Sequence, residues 1–194
     1  MLHTGIDLHK RTCVLATVDD DGERVAEAEL RCHRPALVRY FAALPGPHAA
    51  TVEATSGWYW LADLLATEGV TLSLAHAKFL KAIAYAKVKT DAVDAGTLAQ
   101  LLRVGLIPEA HMIAPELRPL RDVMRTRLRL TQKEVGARNS IERLFEKYNV
   151  RSVADLPELA QLQAACHQEQ VELLRSQIRT LEKSLHPHLV PDPD

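Results

Sequence analysis

The sequence predicts an α/β protein: a mixed β-sheet with flanking helices, followed by a long helical hairpin or coiled coil. Three observations predict this class. The chain opens with three short strands, helices and strands then alternate up to residue 104, and the remainder carries helical patterns. With 194 residues, 47% of them hydrophobic, the chain is long enough for one or two domains with a real core. We expect two domains, 1–112 and 113–194.

The first three strands are predicted to form a meander. Residues 5–10 lead into 12–18, which are rich in β-branched residues, and residues 23–30 alternate apolar and polar side chains. The dipeptide Asp21-Gly22 between the second and third strands is a standard hairpin signal. Asp7 lies within the first strand, where an acid is out of place. Its carboxylate either faces solvent or is held there for a purpose.

Helices and strands are predicted to alternate after this meander. Apolar spacing and turn residues predict a helix over 35–44, a strand over 48–54, a helix over 58–69, a strand over 70–75 and a helix over 91–104. Gly105 and Pro108 close the last of these helices. Such an order builds a mixed sheet with helices packed on it.

Four acidic residues fall where strand ends and helix starts meet in such a sheet. Asp7 lies on the first strand, Glu53 at the end of the fourth, and Asp91 and Asp94 on one face of the last helix. Acidic residues in a first turn also suit the helix dipole, so Asp91 and Asp94 alone are typical of a solvated helix start. Four converging carboxylates, however, need cations between them, and oxygen ligands favour Mg²⁺ or Mn²⁺. Such ions support phosphoryl transfer.

The composition excludes several classes of protein. The three cysteines are widely spaced and form no C-x-x-C, which argues against a disulfide framework and a zinc knuckle. No apolar run approaches membrane-spanning length and no signal pattern opens the chain, so we expect a cytoplasmic protein without a membrane partner. His9, His186 and His188 lack a metal-ligand spacing and are predicted to be ordinary histidines.

The C-terminal part is predicted to consist of two long helices. The first starts near Pro115, and the second runs from Pro157 to Pro187. They form an antiparallel hairpin or a coiled coil with another copy. The net charge of the chain is −1, yet residues 118–151 contain ten Lys/Arg and four Asp/Glu, against three and seven in 152–194. This basic helix predicts nucleic-acid binding, with a solvated face as the alternative. Its basic positions include Arg121, Arg125, Arg129 and Lys133.

These features together resemble the RNase H/RuvC-like fold and, more narrowly, the N-terminal half of the DEDD transposases of the insertion-sequence one-ten family, also described as RNA-guided bridge recombinases. The resemblance covers about residues 3–150. The matching stretches are GIDLHK at 5–10, VEAT at 52–55, AK at 77–78, KVKTDAVDA at 87–95, LA at 98–99 and LIP at 106–108.

The resemblance implies a catalytic and metal-binding tetrad that takes Mg²⁺ or Mn²⁺. Its members would be Asp7, Glu53, Asp91 and Asp94. Three lysines near this tetrad, Lys78, Lys87 and Lys89, are predicted to contact nucleic acid, and for Lys89 an ordinary solvated side chain is the alternative.

The resemblance also implies the activity: DNA strand cleavage and exchange during transposition of a mobile element, with a structured guide RNA that selects the DNA. The helical region is expected to bind this RNA and to form a homodimer or a higher homo-oligomer. The family joins this acidic domain to a C-terminal domain that supplies a nucleophilic serine. These residues contain no such domain, so we expect that they cannot complete recombination alone.

Two other functions remain open from the sequence. The same tetrad could activate water in a self-sufficient RuvC-like nuclease, and the chain could be a non-catalytic module for nucleic-acid binding or dimerisation. Whether these residues act as an enzyme is therefore open. An actin-like sugar kinase also begins with a stretch like residues 5–7, but the second glycine-rich phosphate loop of that fold is missing.

Overall fold

The chain forms two compact units, Met1–Met112 and Ile113–Asp194. A computed structural model describes residues 1–55, 57–83 and 90–189. Within these ranges, no helix combines the length and the apolar character that crossing a bilayer requires.

The first unit contains a mixed sheet with helices on it. Its elements are β1 (Leu2–Leu8), β2 (Thr12–Val18), β3 (Arg24–Arg31), α1 (Arg34–Ala42), β4 (His48–Glu53), α2 (Trp58–Thr67), β5 (Thr71–Ala75), α3 (Ala77–Ile83), α4 (Asp91–Arg103) and β6 (Glu109–Ala110). The strand order is β3-β2-β1-β4-β5-β6. Strands β1, β4 and β5 run parallel, whereas β2, β3 and β6 pair antiparallel with their neighbours.

This sheet confirms the predicted α/β class with an RNase H/RuvC-like arrangement. The sequence patterns did not predict α3 or β6. Helix α3 has only seven residues and β6 only two, which is too few for a clear periodic pattern.

The main core lies on the face of the sheet opposite α4. Ile6 pairs with Leu15 on β2 and with Val52 on β4, and all three side chains are almost completely buried. Leu37 of α1 and Leu61 of α2 are also completely buried. Burial of this kind contributes about 1.5–3 kcal/mol for each large apolar side chain.

On the other face, α4 lies directly against β1 because Gly5 has no side chain. A Cβ atom at Gly5 would be 2.0 Å from the Ala95 carbonyl oxygen and 2.5 Å from the Ala99 nitrogen. The buried side of α4 therefore consists of small residues together with Leu98. Val93, which belongs to the apolar spacing of this helix, is instead 38% exposed.

The second unit is an antiparallel helical hairpin, which is one of the two arrangements that the sequence predicts. Helix α5 (Arg118–Tyr148) ends at Asn149, whose φ of 51° lies in the left-handed region, and α6 (Glu158–Leu189) returns along it. The predicted end of the second helix at Pro187 is wrong, because α6 continues through Pro187 to Leu189. A proline this close to the end of a helix removes one backbone hydrogen bond without interrupting a long helical segment.

Two ion pairs connect the helices of this hairpin. Arg127 lies 2.5 Å from Glu182, and Arg175 lies 2.8 Å from Glu134. Residue numbers rise along one helix as they fall along the other, which is the register of antiparallel packing.

Several large apolar side chains remain more than 45% exposed on this unit: Leu117, Met124, Leu128, Leu159, Leu162 and Leu173. The hairpin therefore presents apolar surface that its own helices leave open.

Candidate active site

Asp7 and the first turn of α4 meet on one face of the sheet. Side chains alternate along a strand, so Asp7 points to the same face as Gly5, the residue that contacts α4. Thr90 caps this helix, since its Oγ1 accepts a hydrogen bond from the Val93 nitrogen at 3.2 Å. The cap fixes the start of α4 and places Asp91 in the first turn, close to Asp7.

The imidazole of His9 lies between two carboxylates. Its Nε2 is 3.1 Å from Oδ2 of Asp7 and 3.1 Å from Oδ2 of Asp91. One ligand atom from each of the three residues lies within 4.8 Å of the other two, which is close enough to share a metal ion. We call Asp7, His9 and Asp91 the acidic cluster. Exposure rises from 20% for the Asp7 side chain to 59% for that of Asp91, so the cluster opens to solvent.

The electrostatics of the acidic cluster favour a bound cation. Burial raises the pKa of Asp7 above its ordinary value, the nearby His9 opposes this rise, and the charges of Asp91 and Asp94 add to it. A carboxyl group in these surroundings is stabilised as an anion by a positive charge close to it. Carboxylate oxygens are also the preferred ligands of Mg²⁺ and Mn²⁺, so the donor set fits such an ion.

Asp94 lies near this cluster, and Glu53 lies at the end of β4, the strand that pairs with β1. Gly5 pairs with Thr51, so Glu53 and Asp7, each two residues further along a parallel strand, project from the same face of the sheet. The effect of Asp94 on the pKa of Asp7 likewise shows that its carboxylate is nearby. Within the described residues, neither side chain belongs to the group that could share one ion with His9. The assignment of all four acids as metal ligands stays a prediction.

The profile DEDD_Tnp_IS110, described as a transposase, matches residues 4–150. The chain belongs to this family of DEDD-type transposases. No curated protein gave a significant match to this transposase. Family membership implies the use of a divalent metal ion and DNA as a partner, in agreement with the donor set of the acidic cluster.

The predicted nucleic-acid contacts of the transposase lie in both units. Lys78 is exposed on α3, immediately after β5, whereas Lys87 and Lys89 lie outside the described residues. On α5, three of the predicted basic residues are exposed and Arg121 is half-buried. The exposed three are Arg125, Arg129 and Lys133. These positions are available to phosphate groups, and their role as contacts stays a prediction.

Two features of the site were missed in the sequence. His9 was predicted to be an ordinary histidine, but the turn between β1 and β2 brings its ring to both carboxylates. The second feature is a cleft beside the same turn, lined by basic residues and by the acid Glu29. The basic residues are Lys10, Arg11, Arg31, His33 and Arg39. The signal for this cleft in the sequence is the pair Lys10-Arg11 at the end of the GIDLHK stretch, since the other lining residues come from β3, α1 and the turn between them.

Proposed function

We propose that these residues form the metal-dependent catalytic part of an RNA-guided DNA recombinase. Membership of the transposase family makes the chain part of a mobile element's machinery. The observation that carries the finer proposal is the approach of Asp7 and Asp91 across the contact between β1 and α4, on either side of the His9 Nε2. Mg²⁺ or Mn²⁺ bound there would act as a Lewis acid on a phosphodiester and on its attacking hydroxyl.

Each acidic residue has a role in this proposal. Asp7 and Asp91 bind the ion directly, and Glu53 and Asp94 supply further carboxylates from the same face of the sheet. The backbone of Thr90 contributes as well, because its carbonyl accepts the Asp94 N–H at 2.9 Å and fixes the turn that carries both α4 acids. By the family pattern, the attacking hydroxyl belongs to a serine of a C-terminal domain.

The basic surfaces are proposed to hold the nucleic acids. Arg125, Arg129 and Lys133 are spaced four residues apart on α5, so they follow one side of the helix and can contact successive phosphates of a guide RNA. Lys78, which follows a strand end on the edge of the sheet where β1 and β4 also end, is placed to contact the DNA backbone. Binding of both kinds is expected to weaken steeply with salt.

The exposed apolar side chains of the helical hairpin support the proposed homodimer. Leu159, Leu162 and Leu173 of α6 are 77%, 63% and 59% exposed. Covering such side chains with those of a second copy would remove a large apolar area from water, which is the usual driving force of association.

Calorimetric titration with Mg²⁺ and with Mn²⁺ tests the proposed metal centre. We expect saturable binding to the wild type and its loss in Asp91→Ala/Asp94→Ala. The matched control is Glu142→Ala/Glu146→Ala, which removes two exposed acids from α5 and should leave binding unchanged. No binding to the wild type, with or without nucleic acid, would show that the acids do not converge into a metal site.

Activity measurements separate the three functions. Cleavage of branched DNA by this chain with Mg²⁺ would favour a self-sufficient nuclease over a recombinase that needs a serine from another domain. Binding of DNA and RNA that persists in the variant without all four acids, together with no metal binding, would favour a non-catalytic module.

A further inference from the structure

We propose that His9 is a nitrogen ligand of the metal centre and shifts its preference from Mg²⁺ toward Mn²⁺. This inference rests on the proposed metal-dependent function and adds a residue outside the four predicted acids.

The two distances from Nε2 of His9 to the carboxylates carry the inference. In an octahedral site with metal–ligand distances of about 2.1 Å, neighbouring ligand atoms are about 3.0 Å apart. Nε2 of His9 lies 3.1 Å from an oxygen of Asp7 and 3.1 Å from an oxygen of Asp91. The imidazole nitrogen is therefore already at the separation that two adjacent positions of one coordination sphere require.

The backbone holds His9 at this position. Its N–H donates to the Thr12 carbonyl oxygen at 2.9 Å, and its carbonyl oxygen accepts from Sγ of Cys32 at 3.3 Å. Hydrogen bonds to Thr12 and to Cys32, the residue after β3, thus fix the backbone of His9 independently of the two carboxylates. An ordinary surface histidine is not constrained in this way, and preorganised ligands bind metal ions more tightly.

The chemistry of the donor atoms determines which ion a site containing His9 binds more tightly. Mg²⁺ accepts oxygen ligands almost exclusively, whereas first-row transition ions also accept imidazole. Mn²⁺ shares the preference of Mg²⁺ for carboxylates, so a site with two carboxylates and one imidazole suits Mn²⁺ best of the two. Two carboxylates also balance the charge of a divalent ion, and a neutral imidazole adds a ligand without adding charge.

The test compares His9→Ala with the wild type in Mn²⁺ and Mg²⁺ titrations. We expect the affinity for Mn²⁺ to fall by about tenfold or more, as for other metal sites that lose a supporting group, and the affinity for Mg²⁺ to fall much less. His111→Ala, which removes an exposed histidine from the same unit, is the matched control and should change neither affinity.

Magnetic resonance of bound Mn²⁺ provides a second readout. A coordinated imidazole gives a ¹⁴N hyperfine coupling in the wild type, and this coupling should vanish in His9→Ala. The wild-type spectrum alone tests the inference even if the variant fails to fold. An unchanged ratio of the Mn²⁺ and Mg²⁺ affinities in a folded His9→Ala variant would overturn the role of His9. Tighter Mn²⁺ binding by that variant, or no ¹⁴N coupling in the wild type, would overturn it as well. No metal binding by the wild type would overturn the proposed metal centre itself.

Discussion

Gly5 determines how closely α4 approaches the sheet. Any larger residue would place its Cβ atom against backbone atoms of Ala95 and Ala99, which cannot move unless the whole helix moves. The position of Asp7 relative to Asp91 depends on the same contact, because Asp7 lies two residues later on β1 and α4 carries Asp91. One residue without a side chain therefore links the packing of the unit to the geometry of its acidic cluster.

We predict that Gly5→Ala destabilises the protein by about 3 kcal/mol, because overpacking against a backbone cannot be relieved by a change of rotamer. The measurement is urea-induced unfolding. Gly136→Ala is the control: a Cβ atom there has no neighbour within 4 Å, and alanine in the interior of α5 should stabilise by up to about 1 kcal/mol. If the urea midpoint of Gly5→Ala equals that of the wild type, α4 does not contact β1 in this way.

Burial also governs the chemistry of Cys13, which is completely buried on β2. Burial, with a smaller contribution from Cys32, raises the pKa of Cys13 to about 12. The folded protein keeps the thiol protonated, whereas the unfolded chain ionises it near the ordinary value of 9.0. The contribution of this group to stability is therefore complete below pH 9 and is lost as the pH rises toward 12.

We predict that a thiol reagent at pH 8 modifies the exposed Cys166 of the native protein quickly and leaves Cys13 unmodified. Mass spectrometry of labelled peptides measures both rates, and labelling in urea provides the control in which all cysteines react. Equal rates for Cys13 and Cys166 in the native state would contradict the burial of β2.

At the scale of elements, the contact between α5 and α6 includes a buried carboxylate. Glu134 is 7% exposed, and its partner Arg175 comes from the opposite helix. A buried charge without a partner costs more than the pair contributes when intact. This pair therefore selects one register of the hairpin, because sliding either helix by a turn would leave the carboxylate unpaired.

We predict that Arg175→Ala destabilises the hairpin by about 1–3 kcal/mol, since it leaves Glu134 buried and unpaired. The matched control is Arg127→Ala, which breaks the more exposed pair with Glu182 and should cost less than about 1 kcal/mol. Thermal unfolding followed by circular dichroism compares the two variants. A larger effect of Arg127→Ala would indicate that burial of Glu134 does not control the register.

The sequence predicted those elements that depend on local pattern. The meander, the alternation after it and the start of α4 follow from β-branched runs, Asp21-Gly22 and the spacing of apolar residues. The position of His9 between two carboxylates could not be predicted, because Asp7 and Asp91 meet only after α4 packs on β1. The spacing of apolar residues also could not predict which face of α4 is buried, since this depends on the close contact that glycine at position 5 allows.

At the scale of the whole molecule, the two units carry different kinds of surface. Met1–Met112 contains the acidic cluster and the basic cleft beside it, whereas Ile113–Asp194 contains the basic residues of α5 and the exposed apolar side chains of the hairpin.

We predict that the wild type is dimeric and that Leu162→Arg shifts it toward the monomer by at least about tenfold in dissociation constant, because a charge replaces an apolar contact. Gln168→Arg, at another exposed position of α6, is the control and should leave the equilibrium unchanged. Sedimentation equilibrium measures both variants. A wild type that remains monomeric at high concentration would rule out this interface.

The far end of α4 is also fixed. Gln100 donates to the Gly22 carbonyl oxygen at 2.7 Å, and Arg103 donates to the Asp20 carbonyl oxygen at 3.2 Å. Because α4 contacts Gly5 near its middle, a tilt of the helix about this contact would move its two ends in opposite directions. With a rise of 1.5 Å per residue, a tilt of about 10° around that contact would move Asp91 by about 1.5 Å. Substitutions in the distant turn between β2 and β3 can therefore displace Asp91 without contacting the acidic cluster.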